Sequence, residues 1–195
     1  MAHVATVALF PSVLGVRPGV TQAAELLRSH GHDVHVVAYG GEEVFDDYEP
    51  AMARADEVGF PALMEAALDA VSHLPDGFVP AGFSNGAGIA QYVAGRRAVS
   101  GALMLSGAID PAYLDVAWPQ GVPAQIHTTV DDPWRDEGVE AAAAAVEAAG
   151  GAVEVFEYPG SGHLFADASK ADEYQPEEAA LMWERVVAFL ARVGR

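Results

Sequence analysis

Two observations predict an α/β fold with a mostly parallel sheet covered by helices on both faces. Short apolar runs alternate with amphipathic helical stretches along all 195 residues, the pattern of successive βαβ units. Hydrophobic residues make up 51% and charged residues 19%, enough to bury a full core without a covalent staple. Crossover connections in a parallel sheet place helices on both faces. No internal repeat or boundary-marking linker is visible, so one domain over 1–195 is expected.

The elements follow in order. His3–Phe10 reads as a buried strand. Pro18–His30 reads as a helix, with Pro18 suited to its first turn and Gly31 as its stop. Asp33–Ala38 is a second strand. Gly40–Glu57 is acidic and reads as irregular, a candidate rim over a site. Gly59–Leu74 is helical, with Leu63, Ala67, Val71 and Leu74 on one face. Phe78–Gly82 is a strand and Asn85–Arg96 a helix, Arg96 and Arg97 suiting its negative end. Ser100–Ser106 and Val122–Thr129 are strands. Asp136–Ala149 is a helix capped by Gly150, Val153–Tyr158 the last strand and Pro176–Val193 the last helix.

Charge and composition exclude several function classes. The formal net charge is −18, with 10 basic against 28 acidic residues and no basic stripe, so neither nucleic acid nor an anionic membrane is an expected partner. Cysteine is absent, which removes disulfides, thiolate metal sites and a cysteine nucleophile. No signal peptide or bilayer-length apolar run is read, and a cytoplasmic location is expected. His30, His32 and His35 cluster in sequence, but strand and turn positions explain them better than a metal does. No metal and no cofactor is expected.

Chemistry concentrates at strand ends. Gly82-Phe83-Ser84-Asn85-Gly86 matches G-x-S-x-G between a strand and a helix, where a nucleophile elbow belongs. Such a turn is sharp, needs small flanking residues, and aims the Ser84 hydroxyl and the Asn85 N–H at one space. A hydroxyl is a weak nucleophile until a base takes its proton. His163 is the candidate base, since nothing structural asks for an imidazole in the Pro159-Gly160-Ser161-Gly162 loop. His127 lies inside a strand and reads as packed. A carboxylate must orient the base, and Asp131 and Asp132 both stand just after a strand that ends on the same rim. The second oxyanion donor is expected from the loop after the first strand, at Val13. Arg17 nearby is a candidate substrate contact or a surface arginine. Ser12, Trp118, Trp134, Tyr48 and Phe165 are candidate pocket residues, although Trp118 and Trp134 also suit a core.

The chain resembles the dienelactone hydrolase family in its small form without a cap domain. The resemblance rests on Leu14–Val20, Gly82–Gly86, Asp132-Pro133-Trp134, Tyr158–Asp167 and Ala180–Arg185. It implies an α/β-hydrolase fold, Asp132 as the triad acid, and oxyanion donors at Val13 and Asn85. Two departures stand out. The enzyme that names the family has a cysteine where this chain has Ser84, and a glutamate toggling that cysteine where this chain has Ser12. One of the arginines that hold its substrate carboxylate falls at Asp167. The fold and the triad therefore carry over, and the anionic lactone does not.

The expected activity is hydrolysis of a carboxylic ester or lactone, a neutral small molecule, through an acyl-enzyme. An acyltransferase or cyclase on the same triad is the nearest alternative, and a non-catalytic ligand-binding module is another. Nothing in the sequence defines the oligomeric state.

Overall fold

The structure is a computed structural model that describes residues 4–136 and 138–194. Six strands form one sheet: β1 (Thr6–Phe10), β2 (Asp33–Val36), β3 (Val79–Phe83), β4 (Ala102–Leu105), β5 (Ala124–Thr129) and β6 (Val153–Tyr158). Their order is β2-β1-β3-β4-β5-β6, and all five pairings are parallel. The chain steps from β1 outward to β2 and returns on the other side as β3, so the order reverses between β1 and β3. A crevice opens beyond the strand ends at such a reversal.

Side chains alternate across the pleat and sort the core into two layers. Val7, Leu9, Val79, Ala81, Phe83, Leu103 and Leu105 face α1 (Pro18–Ser29) and α6 (Pro176–Val193). Their neighbours Ala8 and Phe10 face α3 (Phe60–Ala70) and α4 (Asn85–Arg96), while Ala102, Met104, Ala124 and Ile126 face α4 and α5 (Gly138–Ala148). Among the described residues no cap domain stands over the sheet, and no helix is long and apolar enough to cross a membrane.

One expectation fails. The stretch read as irregular contains helix α2 (Tyr48–Val58), which begins after Asp47 and tolerates Pro50 because it falls in the first turn. Only Ala51 is buried in it, so its polar face hid the periodicity. Elsewhere the element ends move by a few residues. The expected strand start at His3 and the helix residue Glu137 lie outside the described residues.

Candidate active site

The turn between β3 and α4 explains its own glycines. Ser84 sits at φ 53° and ψ −116°, a strained conformation that turns its side chain off the sheet. A Cβ on Gly82 would stand 1.8 Å from the Gly86 carbonyl oxygen, and one on Gly86 would stand 2.3 Å from that of Pro11. Larger residues at either place would push the elbow off the end of β1.

Three side chains from three loops meet there. His163 Nε2 lies 2.6 Å from Ser84 Oγ, and His163 Nδ1 lies 2.7 Å from Asp132 Oδ2. Asp132 can only accept, so Nδ1 carries the proton and Nε2 is free to accept from the serine hydroxyl. Asp132 Oδ1 accepts from the Trp134 N–H at 2.8 Å, which fixes the carboxylate plane. Asp131 is exposed, and of the two acids it is Asp132 that bonds His163. The side chains of His163 and Asp132 are 8% and 2% exposed, which keeps water from weakening the pair.

The loop holding His163 is pinned by residues that sequence reasoning missed. Gly162 donates its N–H to Gln175 Oε1 and accepts from the Thr129 hydroxyl. Glu173 Oε2 accepts from the Leu164 N–H and from the Tyr48 hydroxyl. Burial and the adjacent Glu173 raise the Tyr48 phenol well above its ordinary value, so it stays a donor. No local motif announces these contacts, because they join loop residues at 9, 13, 33 and 125 positions' separation, with no regular spacing.

The loop after β1 is shaped by Ser12, whose Oγ accepts from the Leu14 N–H while Gly15 donates back to the Ser12 carbonyl. The Val13 and Asn85 N–H groups have no partner among the described residues, and both residues line the cavity beside Ser84. Tyr39 joins the two segments. Its buried hydroxyl donates to the Pro11 carbonyl at 3.1 Å and accepts from the Asn85 side chain at 3.5 Å.

The cavity measures about 350 Å³ and reaches from Ser84 and His163 under α2. Tyr48 and Trp134 line it, their ring centroids each 6.1 Å from that of His163. Met52, Phe60, Leu63 and Ile109 continue the apolar wall, and no lysine or arginine among the described residues lines it. Part of Gly40–Glu57 does form its rim.

Three expectations about the walls are corrected, and Trp118 takes its core alternative. Phe165 is fully buried against Tyr158 in the core under α6. Trp118 is packed under α5 and donates to the Val122 carbonyl. Ser12 shapes its own loop and lines two smaller cavities, not this one. Arg17 is neither surface nor substrate contact: it is buried, donates to the Phe45 and Ser169 carbonyls, and lies 3.5 Å from Asp167. It ties the β1 loop to the chain beyond His163. Of the three clustered histidines, His32 Nδ1 accepts from the Ala5 N–H, and no group of three or more potential metal ligands occurs among the described residues.

Sheet order and elbow together define an α/β-hydrolase fold. The model of the dienelactone hydrolase family matches residues 6–194, and the chain belongs to that family. Hydrolase is thus its broad chemical class. Among similar solved structures is a dienelactone hydrolase-like promiscuous phosphotriesterase from metagenomic libraries. It is 18% identical, with 99% of this chain and 88% of that chain covered and a TM-score of 0.79. Dienelactone hydrolase from Anabaena variabilis is 16% identical, with 99% and 88% covered and a TM-score of 0.69. Esterase PE8 is 19% identical, with 98% and 94% covered and a TM-score of 0.65. At these identities the likeness is one of fold. No curated protein matches the sequence significantly.

Proposed function

We propose that this protein is a serine hydrolase that cleaves a neutral carboxylic ester or lactone through an acyl-enzyme. The observation that carries the reading is the hydrogen-bond chain from Ser84 through His163 to Asp132, at 2.6 and 2.7 Å. Ser84 Oγ attacks the carbonyl carbon as His163 Nε2 takes its proton. Asp132 holds the Nδ1 proton in place and stabilises the imidazolium. The oxyanion lies between the Val13 and Asn85 N–H groups, the latter at the positive end of α4. Each such donor contributes about 2.7–4 kcal/mol to barrier lowering. His163 then protonates the leaving alkoxide. Water attacks the acyl-enzyme with His163 again as base, which releases the acid and restores Ser84.

The apolar wall and the absence of a lining cation favour uncharged substrates. Turnover of neutral p-nitrophenyl esters and lactones tests the reading. The wild type is expected to hydrolyse them, and Ser84→Ala to lose turnover while melting as the wild type does. A Ser84→Ala protein that keeps most of its activity overturns the nucleophile.

A further inference from the structure

Ser106 stands directly after β4, one step beyond the Phe83↔Leu105 pair, and so beside Ser84 at the sheet's rim. The Ser84 N–H donates to the Leu105 carbonyl at 2.7 Å, which fixes that neighbourhood. Adjacent strands put the two serines about 5 Å apart. Ser106 lines the cavity, is 2% exposed, and its Oγ has no hydrogen-bond partner among the described residues. The other cavity hydroxyls are engaged, Ser84 with His163 and Tyr48 with Glu173.

Its backbone is also strained, at φ 63°, where glycine is the comfortable residue. A glycine would remove both the strain and the orphan hydroxyl. The surroundings hold the strain in place: Gly107 donates to the His127 carbonyl, and Gln91 bonds both the N–H and the carbonyl of Ile109 at 2.8 Å. A strained, over-determined residue with an unspent polar group at a cavity wall is a marker of ligand contact.

Tyr48 and Trp134 flank His163, and Phe60, Leu63, Ser106 and Ile109 belong to the same cavity wall. We infer that Ser106 is a specificity residue whose hydroxyl, turned into the cavity about its single side-chain torsion, bonds an oxygen on the acyl chain within two bonds of the scissile carbonyl. The preferred substrates are then esters of 2-hydroxy or 2-alkoxy acids. This inference rests on Ser84 being the nucleophile.

The test compares p-nitrophenyl methoxyacetate with p-nitrophenyl butanoate, in which a methylene replaces the ether oxygen. Each variant is also treated with a fluorophosphonate and its intact mass recorded. In Ser106→Ala the methoxyacetate-to-butanoate ratio of kcat/KM should fall about 5- to 10-fold, the worth of one neutral hydrogen bond. Ser106→Gly, which suits the positive φ, should show the same fall and guards against misfolding of the alanine variant. An unchanged ratio in variants whose Ser84 still takes the label overturns the Ser106 assignment alone. A well-folded wild type that takes no label overturns the nucleophile and this inference together.

Discussion

Replacing His127 with glutamine should remove a specific acid sensitivity from the fold. His127 is a fully buried residue of β5, its ring stacked on Phe156 and Tyr158 of β6. Nδ1 accepts from the Tyr158 hydroxyl at 2.9 Å, and Nε2 donates to Gln125 Oε1 at 3.2 Å. Arg185 lies over the Phe156 and Tyr158 rings. Burial first, then the Arg185 charge, pushes the imidazole from 6.5 down to about 3. Below pH 6.5 the unfolded chain therefore binds a proton that the folded protein refuses, and stability falls as pH falls. At pH 5.0, still above the folded value, the loss is about 1.5 units at 1.36 kcal/mol each, or about 2 kcal/mol. Glutamine keeps an acceptor for Tyr158 and a donor for Gln125 but does not titrate. Urea unfolding at pH 7.5 and 5.0 reads the difference. With a slope near 2 kcal/mol/M, the wild-type midpoint should drop about 1 M further than that of the variant. The other histidines are common to both proteins and cancel. Equal drops would refute the claim that His127 is held neutral.

Three further substitutions probe the site. Asp132→Asn should leave the fold intact but lower kcat about 10³- to 10⁴-fold, because the amide permits the wrong imidazole tautomer; steady-state kinetics on a p-nitrophenyl ester reads it. Tyr39→Phe should lower kcat about 10-fold with little change in KM, since it frees the Pro11 and Asn85 segments that carry the oxyanion donors; a change confined to KM would count against that role. Arg17→Met should cost about 3 kcal/mol in urea unfolding, because it strips the buried Asp167 carboxylate of its cation.

The legible parts of the molecule were those whose physics is local. Gly82 and Gly86 are forced by backbone contacts under 2.5 Å, so G-x-S-x-G between strand and helix pointed to Ser84 and Asn85. The turn signals around His163 and Asp132 placed them on the strand-end rim, and parallel topology did the rest. Side-chain direction was not legible. Phe165 and Arg17 stand close in sequence to site residues yet turn into the core, and Arg17 reaches Ser169 across 152 positions. Helix α2 escaped because a helix that buries one alanine shows no apolar stripe. Gln175, Glu173 and Tyr39 each act through two side-chain hydrogen bonds to loop segments, for which a sequence carries no spacing signal. Ser106 had a faint one, a Ser-Gly pair closing an apolar strand.

Covalent labelling reads whether Ser84 is an activated nucleophile. The intact mass after treatment with a fluorophosphonate should show one adduct on the wild type and none on Ser84→Ala. A well-folded wild type without an adduct, or an adduct that survives the substitution, would contradict the account.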